Sequence, residues 1–172
     1  MGLQLIFVVE TDRKCQSDWK YLKETIYKFY EVNDSNIKLT PVFLGGKGRY
    51  KDRTRVNDVN KKIKQYSSVS SNNKSVVIYV FDTDDYDVNV QDQKFMEEVK
   101  KYCEKNKYDI IWFCKDVEQV FLGRKVSNDK KRDESDAFKR KKLIHNIKEE
   151  KLRVDILKKN SSNILNVLDE YL

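Results

Sequence analysis

VVIYVFDTDDYD, residues 76–87, runs from an apolar, β-branched and aromatic stretch, Val76 to Phe81, straight into the carboxylates of Asp82, Asp84, Asp85 and Asp87. A continuous apolar run of this length reads as a strand buried on both faces of a parallel sheet. Open parallel sheets carry their ligand sites beyond the carboxyl ends of the strands. Side chains alternate along an extended segment, so Asp82 and Asp84 are expected to leave the strand on the same side. Two carboxylates held that way suit a hard divalent cation, magnesium or manganese, which prefers oxygen ligands. Glu10, closing an earlier strand, is expected to complete the site.

Around this strand, apolar runs alternate with segments of helical spacing. Residues 3–9, LQLIFVV, form the first strand and end at Glu10; a polar turn, TDRKCQSD, follows. Trp19, Leu22, Ile26 and Phe29 recur at the spacing of one helical face across 18–30. A turn is expected at 33–36 and a second strand at 37–44. Pro41 points to an edge position or an irregularity in that strand, because proline cannot donate to a central ladder. Thr54 is a candidate cap for a helix marked by Val56, Val59, Ile63 and Tyr66. The polar connector SSVSSNNKS leads into the organising strand. After Asp87, residues Phe95, Met96, Val99, Tyr102 and Cys103 mark a third helix, and DIIWFC, 109–114, a fourth strand. The order β-α-β-α-β-α-β calls for an α/β fold: a Rossmann-like, four-stranded, mostly parallel sheet with helices on its faces and right-handed crossovers.

Residues 1–122 read as this core. Residues 123–172 read as a basic linker followed by C-terminal helices packing on it. The stretch GRKVSNDKKRDESDAFKRKK holds nine basic and four acidic residues and is expected to be a solvated link into a helix. Helical spacing then runs through Leu143, Ile144 and Ile147, and again through Ile164, Leu165, Leu168 and Leu172. These segments are expected to cover the sheet or its edge.

With 172 residues the chain has room for one well-filled core. Thirty-five Lys and Arg against 28 Asp and Glu give a formal charge of +7, a mild bias toward polyanions. Cys15, Cys103 and Cys114 form no CxxC pair, which argues against a disulfide framework or a zinc site and fits a reducing cytoplasm. LIFVV, near the start, is too short to span a bilayer, so no membrane partner is expected.

Three of the four strands end in acids at one pole: Glu10; Asp82 with Asp84; Asp116 with Glu118. Clustered carboxylates repel each other unless a cation neutralises them, and two metal ions about 3.5–4 Å apart can stabilise the attacking and leaving oxygens of a phosphodiester. Asp85, Asp87 and Asp116 read equally well as turn and cap residues. Lys115, beside the acids, is a candidate to steady charge developing on phosphorus, or to pair with a carboxylate. Arg13, Lys14, Lys47, Arg49, Lys51, Arg53 and Arg55 gather near two βα loops and are candidates to track a phosphate backbone, or simply a solvated basic face. GGKGRYK lacks the spacing of a P-loop. His145, the only histidine, reads as a surface residue.

A glutamate closing the first strand of a Rossmann-like unit, with DxD closing a later one, resembles the TOPRIM domain of topoisomerases, primases and OLD-type nucleases. The closer resemblance is to stand-alone RloB-like TOPRIM proteins of bacterial defence systems. VVETDRKCQSDWKYL is similar to their acid-turn-helix element, FDTDD to their aspartate pair, and WFCKDVEQVFLG to their late glutamate opening a short helix. The resemblance covers residues 3–122. The chain departs from it at Thr11, where glycine is usual, and at Val117, before Glu118.

The resemblance implies a magnesium- or manganese-dependent nuclease in anti-phage defence or abortive infection, acting on DNA or RNA. Asp82 and Asp84 would hold metal, Glu10 would hold a second metal or act as general base, and Glu118 would assist. The rival expectation is a non-catalytic TOPRIM-like scaffold or sensor that binds a partner such as an ATPase encoded nearby. A third is a metal-dependent nucleotide-processing enzyme lacking the polyanion-binding rim. A homo-oligomer is compatible with each.

Overall fold

The computed structural model describes residues 2–32 and 36–172. Most of the turn expected at 33–36 therefore lies outside the described residues. The elements run β1 (Leu3–Val9), α1 (Ser17–Phe29), β2 (Ile37–Phe43), a 3-10 turn (Lys47–Arg49), α2 (Arg53–Ser67), β3 (Lys74–Asp82), α3 (Val90–Asn106), β4 (Asp109–Phe113) and α4 (Val117–Leu122). Then come α5 (Lys131–Arg140), 3-10 turns at Leu143–Asn146 and Glu149–Lys151, and α6 (Ile164–Leu168).

Among the described residues four strands form one sheet in the order β2-β1-β3-β4, every neighbouring pair parallel. This is the α/β architecture the apolar runs predict. Strands β1 and β3 lie in the middle, which is why residues 5–9 and 76–81 read as apolar runs. On one face Leu5, Phe7, Val9, Ile78, Val80, Ile111 and Phe113 pack against α1, α4, α5 and α6. On the other, Ile6, Val8, Val77, Tyr79, Phe81 and Trp112 pack on Val59 of α2 and Met96, Val99 and Cys103 of α3. The chain crosses on the first face going from β1 out to β2 and on the second coming back to β3 and β4, as a constant crossover hand requires.

Gln4 is buried in the sheet, with both ends of its amide hydrogen-bonded. Its Nε2 donates to Thr40 Oγ1 at 2.9 Å, and its Oε1 accepts from Ser75 Oγ at 2.9 Å, tying three strands together. Pro41 lies on edge strand β2, as expected. The amide of Leu44 donates to Val9 O, so alternate residues turn Pro41 away from β1, toward the open side. At the opposite edge the C-terminal segment covers β4. Trp112 N donates to Asn163 Oδ1, Asn163 Nδ2 to Ile110 O, and Cys114 N to Ser161 O, each at 2.9 Å.

Three local expectations are corrected. Helix α2 begins one residue before Thr54, with Asp52 as its N-cap, and the Asp52 carboxylate is drawn instead to Arg49 Nε at 3.0 Å. The basic link contains α5, whose Phe138 is buried against Tyr21 and Phe121 with ring centroids 4.8 and 5.7 Å apart, so this stretch belongs partly to the core. Leu143 and Ile144 form a single 3-10 turn, which ends at Ile147 in extended conformation. Among the described residues no helix is long and apolar enough to cross a membrane.

Candidate functional site

The end of β3 meets the start of α4. Asp82, the last residue of β3, points to the α1 and α4 face and accepts the Val117 amide at 2.9 Å. One residue earlier Asp116 caps α4, its carboxylate accepting Gln119 N and Gln119 Nε2, both at 2.7 Å. Asp116 is therefore a cap rather than a site residue. Glu118, in the first turn of α4, has no exposed surface. Glu10 leaves β1 at the same pole, and Asp18 faces it from α1, accepting Thr11 N at 3.0 Å and Ser17 Oγ at 3.2 Å. Lys131, the first residue of α5, brings its ammonium to Glu118 Oε2 at 3.1 Å.

These acids share one electrostatic environment. Burial, then the charges of Asp18 and Asp84, pushes Glu10 up to about 7. Burial pushes Glu118 up to about 7 as well, against the pull of Lys131. Burial and the Glu10 charge raise Asp82 well above the carboxylate range, and burial raises Asp18. Burial alone would favour a neutral amine at Lys131, but the Asp82, Glu118 and Asp18 carboxylates outweigh it and hold Lys131 protonated.

The expected alternation does not reach Asp84. Strand β3 ends at Asp82, and Asp84 takes a left-handed conformation at φ 48°, aspartate being among the few side chains that tolerate it. Its carboxylate swings to Lys47, which also pairs with Asp92 of α3 at 3.0 Å. Asp84 still raises the Glu10 pKa by its charge, so the two lie within electrostatic reach while Asp82 and Asp84 take different partners. Lys115 turns to Asp85 at 3.3 Å and to Asp87. Of the two roles weighed for it, carboxylate pairing is the one seen. A cleft of about 220 Å³ opens beside this turn, lined by Thr83, Asp84, Tyr86, Cys114, Lys115 and Lys159 among others.

As the side chains stand, no group of three or more His, Cys, Asp or Glu among the described residues is gathered to hold a metal ion. The donor chemistry nonetheless fits a hard cation. Glu10 Oε2 and both Glu118 carboxylate oxygens are buried without a hydrogen-bond partner among the described residues, Lys131 approaching Glu118 as an ion pair without hydrogen-bond direction. Buried acceptors of this kind are costly unless a cation satisfies them. Glu10 and Asp82, with Asp84 nearby, are the residues that would hold one.

The basic residues divide. Arg13, Lys14, Arg49 and Arg55 line a cavity of about 380 Å³ with Asp12, Phe43 and Gly45. The Asp12 carboxylate is already taken by the Lys14 and Cys15 amides, at 2.9 and 2.8 Å. The loop bearing Arg49 is tied to the first strand's exit, Gly46 N donating to Glu10 O at 2.9 Å; Gly45, at φ 71°, needs the freedom of glycine there. Lys51 is exposed and pairs with Glu98 at 3.7 Å, Arg53 is exposed at the start of α2, and Lys47 serves the acids rather than the rim. His145 is exposed on a 3-10 turn.

Two members of the acid group carried no functional reading in the sequence, Asp18 and Lys131. Asp18 had a signal, since a helix following the first strand must start at the pole of Glu10. Lys131 had none, being one cation in a long basic run. Comparison with family models, with curated proteins and with solved structures finds no match to this chain.

Proposed function

We propose that the protein is a TOPRIM-like, divalent-metal-dependent phosphodiester hydrolase that cuts DNA or RNA in the cytoplasm in anti-phage defence. The observation that carries the chemistry is the meeting of Glu10 and Asp82 at the carboxyl ends of adjacent parallel strands. Both are held at raised pKa, and Glu10 Oε2 is left without a partner among the described residues. The basic cavity beside the first βα loop supports a polyanionic substrate. The defence role follows the motif resemblance alone.

In this reading Glu10 and Asp82 bind the cation, and Asp84 joins them when Lys47 releases it toward a phosphate. A bound magnesium or manganese ion would supply charge neutralisation at the phosphoryl oxygens. Where Glu10 is instead left free of the cation, its pKa near 7 would let its carboxylate take the proton of the attacking water. Asp18 holds the Thr11 amide and so fixes the backbone next to Glu10. Arg13, Lys14, Arg49 and Arg55 position the strand.

One observation favours a second reading, a non-catalytic scaffold that binds a partner such as an ATPase. Lys131 and Lys47 already provide cations to the acids. Incubating supercoiled plasmid and structured RNA with magnesium or manganese separates the two. Cleavage should fall about hundredfold or more when Asp82→Asn and Asp84→Asn are combined. A folded wild-type protein that binds neither metal and cuts neither polymer supports the scaffold.

A further inference from the structure

Lys131 is unusual in three respects that point the same way. It opens helix α5, where a cation opposes the helix dipole, yet its side chain is only 19% exposed. It lies 3.1 Å from Glu118, a carboxylate with no exposed surface at all, and its charge is felt by Asp82 and Asp18 from two other elements. A largely covered lysine at the wrong end of a helix is tolerable where carboxylates surround it. Those carboxylates come from α1, β3 and α4, all within the first 122 residues, whereas the lysine comes from the segment beyond.

Helix α5 itself is firmly held. Phe138 is buried in the core, Asp136 pairs with Lys20 at 2.5 Å, and Glu134 pairs with Arg124 at 2.8 Å. The movable part is the lysine stem, four carbons long and bordering solvent. The ammonium can leave the acids by side-chain rotation with α5 in place.

We propose that Lys131 is a tethered counter-cation that, from its seat on Glu118, competes with a divalent metal ion for Asp82 of the Glu10–Asp82 site. The inference rests on the reading of that group as a cation site. An ammonium and a divalent ion drawn to the same carboxylates repel each other. Metal entry therefore requires Lys131 to swing out, and the resting site is held with the lysine in.

Manganese binding, followed by electron paramagnetic resonance and by calorimetry at pH 7.5, tests this on the full chain. Lys131→Gln and Lys131→Met should each bind manganese about tenfold or more tightly than wild type, and Lys131→Arg should remain close to wild type. Thermal melts of the same samples show which variants are folded, and the two neutral variants check each other. Equal or weaker binding in a folded neutral variant, with wild type binding normally, overturns the tethered cation and leaves the metal site standing. Absence of binding in wild type and in every variant overturns the metal site, and this inference with it.

Discussion

Glu118 sits where a carboxylate should not be comfortable: fully enclosed, with the Lys131 ammonium as the one cation within ion-pair distance among the described residues. Its pKa, ordinarily 4.5, is pushed up to about 7, chiefly by burial, and that of Glu10 moves the same way. Below about pH 4.5 each group is protonated in both the folded and the unfolded chain. Between about 4.5 and 7 the folded state keeps a proton that the unfolded state gives up, so stability falls as pH rises through that window. The fully buried Glu118 contributes on the order of 3 kcal/mol to this loss. Urea unfolding in the presence of a chelator should therefore give a lower free energy at pH 8 than at pH 5. Glu118→Gln should reduce the difference, leaving the share that belongs to Glu10. A wild-type profile that is level or rises over this range would contradict the burial argument.

At the scale of elements, α5 decides how the chain beyond the sheet is held. Phe138 packs edge-on against Tyr21 and Phe121, joining α5 to α1 and α4. Phe138→Ala should cost about 3–5 kcal/mol, read as a lower urea midpoint at unchanged slope; a loss below about 1 kcal/mol would mean that α5 is not part of the core. The strands were legible because β1 and β3 are buried on both faces and so had to carry continuous apolar runs. Pro41 marked its edge for an equally direct steric reason. The carboxylates at the strand ends were legible because a parallel sheet leaves little choice about where its ends converge. Lys131 was illegible because a cation that enters an acid pocket has the same local sequence as one that points to water. Asp84 was misplaced because alternation holds only while the strand lasts, and the strand ends at Asp82. Thr54 lost the cap position because α2 starts after Asp52, two residues earlier than its own candidacy required.

For the whole molecule, residues on both sides of 122 fill one core. Phe138, Leu152, Ile164, Leu165 and Leu168 are buried with Leu5, Phe7, Val80 and Phe113. A fragment ending at Leu122 loses those side chains and uncovers the outer edge of β4. It should keep far-ultraviolet helix and strand signal while binding hydrophobic dyes and aggregating. A soluble 1–122 fragment with a cooperative melt would show instead that the αβ unit is self-sufficient. Either edge of the sheet limits what can join it. On β4 the place of a fifth strand is already filled by the segment around Ser161 and Asn163. On β2, an incoming strand would find no donor at Pro41 in the middle of its run, leaving one of its own carbonyls unanswered. A second copy or a partner ATPase would therefore dock through helices and loops rather than by lengthening the sheet.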